Sequence, residues 1–145
     1  MFHVPHVSVG SVILGALHNQ MSGALVYGPL FGHVWLAAMN KDKGGEAWMS
    51  DDARKNHMQS LLLQEFALNL AKSWFTGLLL NLTQARTMSQ AAQLGAFLYI
   101  GVLLPSVASE TMWEKRPVDL QKFKLLSGFC STVLLACMMH WWGTA

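Results

Sequence analysis

The sequence predicts an all-α protein, a bundle of four transmembrane helices whose first helix is broken or kinked at Gly28-Pro29. Three observations predict this fold. Apolar residues make up 52% of the chain and charged residues 12%, about half the charged share of a typical soluble domain. Four apolar segments of about 18–24 residues follow one another, and each is long enough to cross the ~30 Å hydrocarbon core of a bilayer. Lysine and arginine cluster in two of the three connections between them.

The first apolar segment, 7–27, runs into the motif Gly-Ala-Leu-Val-Tyr-Gly-Pro-Leu-Phe-Gly-His-Val-Trp at 23–35. Pro29 lacks an N–H group and its ring clashes with the preceding turn, so a regular helix cannot continue through it. Aromatic residues around the break are typical of a helix that leaves the bilayer at its interface. The residues that define this predicted helix break are Gly23, Tyr27, Gly28, Pro29, Phe31, Gly32 and Trp35.

Beyond the break, we expect the chain to continue as a kinked or interfacial helix to Met39. Three further crossings follow in the same single domain, 1–145: segments 59–82, 88–106 and 122–142. We expect Asp51 to cap the second crossing helix and Asp119 to cap the fourth. Pro105 is expected to end or bend the third helix near the inner interface.

The placement of positive charge predicts the orientation. The polar connections 40–58 and 109–121, with the residues beside them, carry eight Lys and Arg residues, whereas the opposite side has only Arg86. Because cytoplasmic or matrix loops are enriched in Lys and Arg, both basic connections are predicted to face inward and both termini outward. The N-terminus shows no basic region followed by a cleavage site, so the first segment is expected to stay in the protein. The mitochondrial inner membrane is favoured over the plasma membrane.

Polar and ionisable residues within the predicted spans form the most suggestive candidate site: His18, Asn19, Gln20, Glu65, Asn69 and Lys72. Charged groups inside a bilayer are costly and are often functional. These residues allow two interpretations. One is a proton or ion relay between the first and second helices. The other is hydrogen bonding that holds the helices together, which is the commoner role of polar residues in membrane bundles.

The remaining motifs predict no catalysis and no metal site. His3, His6 and His140 could meet at the outer side, but Pro5 interrupts the first pair and no carboxylate is expected nearby. The sequence has no phosphate-binding glycine loop and no nucleophile motif. Cys130 and Cys137 are expected to be free thiols, because seven residues of helix separate them by about 10 Å. We therefore expect no catalytic residues and no cofactors, only structural lipids.

The motif at 23–35 is similar to the signature that ends the first helix in domain-of-unknown-function family 1761, a group of small four-helix membrane proteins. The stretches 95–105 and 113–117 also resemble that family, so the similarity covers nearly the whole chain. The resemblance implies four membrane helices and supplies no catalytic residues. The chain differs from the usual pattern by placing His18-Asn19-Gln20 within the first span.

These observations favour a multi-pass membrane protein without a catalytic role, a structural or accessory subunit of a larger membrane complex. Its expected partners are lipids and other membrane-protein subunits, and no nucleic acid. A respiratory or other energy-transducing assembly of the mitochondrial inner membrane is the predicted setting. The main alternative is a small oligomeric transporter or channel that uses Lys72, Glu65 and His18. A third hypothesis is a cofactor-binding membrane protein with terminal histidine ligands.

Overall fold

A computed structural model describes residues 4–45 and 52–144, and every regular element within them is helical. The prediction of an all-α fold is confirmed. The helices are α1 (Val9–Leu25), α2 (Gly32–Lys43), α3 (Asp52–Leu82), α4 (Met88–Trp113) and α5 (Val118–Trp142). Two residues of the sequence analysis lie outside the described residues. They are His3, which we considered as a metal ligand, and Asp51, which we predicted to cap a helix.

The first helix breaks where the sequence predicts. A wide, π-helical turn at Val26–Leu30 separates α1 from α2, and Gly28 within it has non-helical angles, φ −108° and ψ −109°. Pro29 accounts for this geometry, because it can neither donate a hydrogen bond nor fit the preceding turn. Helix α2 then runs four residues past the expected end at Met39, and Gly44 stops it by adopting a left-handed φ of 76°.

Helices α1 and α5 lie at the centre of the bundle. Helix α1 packs against α3 and α5, and α5 also packs against α4. Small residues permit the close approach: a Cβ added at Gly95 of α4 would lie 2.5 Å from the Cα of Val133 in α5. A Cβ added at Gly15 of α1 would lie 2.7 Å from the Oγ of Ser73 in α3. Small residues at helix seams are typical of membrane bundles, in which backbones approach closely.

The two ends of the described chain lie close together at one end of the bundle, beside the turn between α3 and α4. The amide of Asn81 donates to the main-chain oxygens of His6 (2.7 Å) and Thr144 (3.1 Å), and the Thr144 hydroxyl donates to Asn81 Oδ1 (2.6 Å). The Ser8 N–H also donates to the Thr144 carbonyl at 3.0 Å. We call Asn81, His6 and Thr144 the terminal clasp. Helices α1, α3, α4 and α5 therefore alternate in direction, as four successive passes require.

The predicted connection 109–121 differs from the structure. Helix α4 continues to Trp113 and α5 begins at Val118, so only four residues lie between them. Pro117 takes the N-cap position, while Asp119, the predicted cap, lies in the first turn of α5. Pro105 remains within α4, because a wide turn at Tyr99–Leu103 precedes it and accommodates the missing N–H donor.

Two of the five helices are long and apolar enough to cross a membrane. These are Met88–Trp113 and Val118–Trp142, with mean hydropathies of 1.7 and 1.4. Only 17% and 33% of their most apolar windows are buried within the chain, so they are not the enclosed core helices of a soluble protein. Helix α1 has 17 residues, and α3 carries Glu65 and Lys72 in its middle. The four-crossing arrangement stays a prediction.

Candidate functional site

The polar residues predicted within the spans converge on a cavity of about 440 Å³ between α1, α3 and α5. Five of the six predicted residues line it: Asn19, Gln20, Glu65, Asn69 and Lys72. The other lining residues are Gly23, Ala24, Tyr27, Leu62, Ser127 and Ser131. The wall thus combines one cation, one anion, three amides and three hydroxyls with a few apolar groups. We refer to it as the polar cavity.

Helix α1 supplies two amides with different surroundings. Gln20 Oε1 accepts a hydrogen bond from Asn69 Nδ2 at 2.9 Å, which ties α1 to α3. Asn19 is only 6% exposed, yet neither its Nδ2 nor its Oδ1 has a hydrogen-bond partner among the described residues. A buried amide without partners is uncommon in native proteins and requires an explanation.

Helix α3 supplies the two charges. Glu65, Asn69 and Lys72 are spaced four and three residues apart, which places them on one helical face. Lys72 Nζ donates to Ser131 Oγ in α5 at 2.7 Å. The Glu65 carboxylate acts electrostatically on Lys72 and on Tyr27. Within the described part of the chain, no hydrogen bond or ion pair joins Glu65 to another residue.

Helix α5 meets the cavity at a wide turn, Cys130–Leu134. A wide turn redirects carbonyl groups from the regular ladder, and such turns often occur at functional sites. His18 Nε2 donates to the carbonyl oxygen of Cys130 at 3.1 Å, so this predicted residue braces the turn and does not line the cavity. The Ser131 hydroxyl accepts the hydrogen bond from Lys72 and donates its own hydrogen to the Gly128 carbonyl oxygen at 3.3 Å.

The motif at the helix break forms the end of this site that lies away from the terminal clasp. Tyr27 lines the cavity and meets Trp35 of α2 edge-to-face, with ring centroids 5.6 Å apart. Phe31 packs on Phe123 of α5 at the same separation, which holds α2 against α5. At Gly32 an added Cβ would lie 3.2 Å from the Tyr27 carbonyl oxygen. The motif therefore turns the chain and directs Tyr27 toward the cavity.

Ion pairs occupy the end of the bundle opposite the terminal clasp. Lys124 of α5 pairs with Glu110 of α4 at 2.5 Å, and Arg116 pairs with Glu114 at 2.6 Å. The hydrogen bond to Glu114 raises the pKa of Arg116, because it favours the charged guanidinium. Exposed pairs of this kind contribute little stability. They nevertheless fix the short turn between α4 and α5.

The histidines that we considered as metal ligands are not brought together in the described residues. His6 takes part in the terminal clasp through its main-chain oxygen. Among the side chains that the structure describes, in 4–45 and 58–144, no three His, Cys, Asp or Glu residues lie close enough to hold a metal ion. Cys130 and Cys137 are free, as the sequence predicts. The expectations of no cofactor and no catalytic role stay predictions.

Three residues of the polar cavity have weak signals in the sequence. Ser127 and Ser131 belong to a small-residue stripe that predicts only helix contact, because the sequence does not show which helix they face. Tyr27 belongs to the helix-break motif, where its aromatic ring predicts an interfacial position rather than a cavity wall.

Comparison with known proteins identifies the family. The model of the family described as "Protein of unknown function (DUF1761)" matches residues 11–140. A UPF0591 membrane protein of the fission yeast Schizosaccharomyces pombe is 26% identical over 141 residues, covering 97% of this chain and 94% of the relative. No solved structure matches the chain. The apolar, exposed helices α4 and α5 agree with similarity to a membrane protein, and the chain belongs to the DUF1761 family.

Proposed function

We propose that the protein is a structural or accessory subunit of a larger membrane complex, which it joins through one side of α3 between residues 60 and 71. The supporting observation is a row of small and polar residues on the side of α3 that faces away from the polar cavity. This row, the docking face, consists of Ser60, Gln64, Ala67 and Ala71, and all four are exposed.

The chemistry of the docking face favours another helix over lipid. Gln64 Nε2 donates to Ser60 Oγ at 3.3 Å, which is its only hydrogen bond within the described residues. An unsatisfied amide in hydrocarbon costs several kcal/mol. A neighbouring helix supplies the missing partners, and the alanines at 67 and 71 let its backbone come close.

The rest of this helical segment is poorly covered within the chain. All eight residues from Met58 to Glu65 are exposed, although Leu62 and Glu65 line the polar cavity. A subunit that completes its fold against neighbours is expected to show such a segment. The mitochondrial inner membrane stays our predicted location, from the charge bias of the sequence.

The docking face can be tested by purification in mild detergent. We expect the wild-type protein to elute with other polypeptides in fixed stoichiometry, and an Ala67→Leu/Ala71→Leu variant to lose them. Ala108→Leu is the matched control, since Ala108 is exposed on α4. Elution of the wild type as a homo-oligomer free of other polypeptides would overturn the proposal, as would retention of the complex by the double variant.

A second candidate function, a small oligomeric transporter or channel, is favoured by the meeting of Lys72 and Glu65 in one cavity. His18, which we predicted to take part, is held by Cys130 instead. Proton and ion flux into liposomes tests this alternative. Flux that is unchanged in Lys72→Leu and Glu65→Gln proteins would exclude a pathway through these residues.

A further inference from the structure

We propose that the polar cavity between α1, α3 and α5 binds a zwitterionic group, an ammonium joined to a phosphate or a carboxylate. This inference concerns the side of α3 opposite the docking face and does not depend on the subunit function. It follows from an unpartnered buried amide, from two separated opposite charges and from the volume of the cavity.

Asn19 is the first argument for a ligand. Its side chain lines the cavity, is 6% exposed and leaves both amide atoms without a partner among the described residues. Burial of an amide is unfavourable unless hydrogen bonds replace those lost to water. A guest that offers both a donor and an acceptor can give each amide atom a hydrogen-bond partner once the Asn19 side chain turns its buried amide toward the cavity. Asn19 therefore points to a polar guest and not to an acyl chain.

The two charges narrow the class of guest. Seven residues of α3 separate Glu65 from Lys72, about 10 Å along the helix axis. An anion alone would be repelled by Glu65, and a cation alone by Lys72. Each charge in a medium of low dielectric requires an opposite charge close by. A zwitterion offers an opposite charge to both Glu65 and Lys72, and the filled site then has no net charge.

The neighbours of each charge indicate the orientation of the guest. Lys72 donates one of its three N–H groups to Ser131, so two remain for an anionic group. At the other end, Glu65 acts on Tyr27 and accepts no hydrogen bond from the described residues, so it can receive an ammonium group. The phosphate or carboxylate therefore lies beside Lys72, on the side of the terminal clasp, and the ammonium lies beside Glu65, on the side of the helix break.

The volume fits a small molecule or the headgroup of a lipid. About 440 Å³ lies within the usual range of ligand pockets. The same chemistry occurs in phosphatidylethanolamine, whose acyl chains would remain in the bilayer, and in a water-soluble zwitterion. The experiment must separate these two sources.

The test measures ligand binding to the full-length protein in detergent by native mass spectrometry. The probes are phosphatidylethanolamine, phosphatidylglycerol as an anionic lipid without ammonium, and soluble glycerophosphoethanolamine, whose phosphodiester carries a single negative charge like that of the lipid headgroup. We expect one or both zwitterions to bind at least tenfold more tightly than phosphatidylglycerol. Binding of the lipid alone identifies a headgroup site, and binding of the soluble compound identifies a solute site. Equal or tighter binding of phosphatidylglycerol, or no binding of either zwitterion, would overturn the proposal.

Variants locate the site. Glu65→Gln and Lys72→Met should each weaken zwitterion binding about ten- to hundredfold, the usual effect of losing one charged hydrogen bond. Gly23→Leu tests the cavity without removing a charge. An added Cβ there meets nothing within 4 Å, so the leucine can fill the cavity without a clash at its first atom.

Gly101→Leu is the matched control, because Gly101 of α4 also faces open space and lies outside the cavity. We expect binding to be lost in Gly23→Leu and kept in Gly101→Leu. Unchanged binding in Gly23→Leu would refute the site even if the charge variants fail to fold. The docking-face variant Ala67→Leu/Ala71→Leu should bind the zwitterion normally, which separates this proposal from the subunit function.

Discussion

The two halves of α3 have the same secondary structure and opposite surroundings. From Asn69 to Leu82 the helix is packed, with Ser73 fully buried and Leu80 only 2% exposed. From Met58 to Leu68 it is exposed on nearly every side, and Leu63 is 70% exposed. The chain therefore completes its own packing at one end of this helix and leaves the other end to lipid or to another protein.

The lengths of the helices explain the difference. Helix α1, the main partner of α3, has 17 residues and spans about 26 Å, whereas α3 has 31 and spans about 46 Å. At Gly28-Pro29 the chain turns away and α2 packs on α5. The first turns of α3 thus extend beyond the end of α1. The exposed half is a consequence of the helix break.

The largest effect is expected where the packed half touches α1. Replacement of Ser73 by Leu must push α1 away, because Ser73 is fully buried against Gly15. We expect the free energy of unfolding in detergent to fall by about 3 kcal/mol, the upper range for overpacking. Ala67→Leu, in the exposed half of α3, should change it by less than about 0.5 kcal/mol. Thermal unfolding followed by circular dichroism measures both. Equal losses in the two variants would show that the halves do not differ.

Removal of buried volume should give the next largest effect. Leu80→Ala leaves a cavity beside Ala91, Leu135 and Met139, with which Leu80 forms the core. We expect the free energy of unfolding to fall by about 2 kcal/mol, the low end for this substitution. The value is low because lipid is as apolar as leucine, so moving leucine from lipid into the protein stabilises the fold little. Leu63→Ala provides the comparison in the exposed half and should be nearly neutral. A large loss in the Leu63 variant of the isolated protein would contradict the proposed exposure.

The smallest effect is expected at the terminal clasp. Asn81→Leu removes the donors to the His6 and Thr144 carbonyls, which we expect to cost about 1 kcal/mol of stability. The Ser8 amide, which donates to Thr144, should exchange its hydrogen faster in this variant. Gln93→Leu, an exposed polar position on α4, serves as the control. Unchanged exchange at Ser8 would mean that Asn81 does not hold the ends together.

The sequence predicts the elements of this structure better than their mutual contacts. The helix break follows from Pro29 and its neighbours, which act locally. The shared face of Glu65, Asn69 and Lys72 follows from helical periodicity alone. These features need no knowledge of the remaining chain.

Other features depend on which helices meet. Ser131 becomes a partner of Lys72 only because α5 widens at Cys130–Leu134, and no residue type specifies such a turn. The prediction that Pro105 ends its helix is wrong for a related reason, since the wide turn before it lets α4 continue. A bend at Pro105 stays a prediction. The exposure of the first half of α3 could be predicted only from the lengths of α1 and α3 and from the knowledge that the two helices pack together.

The clasp also restricts chemical modification of the protein. Asn81 begins the triplet Asn-Leu-Thr, an acceptor sequence for N-linked sugars in secretory compartments. The nitrogen that would carry the glycan uses its two hydrogens for His6 and Thr144, and attachment of a sugar would remove one of these bonds. A mature, clasped molecule therefore cannot be glycosylated at this triplet without first opening that end of the bundle.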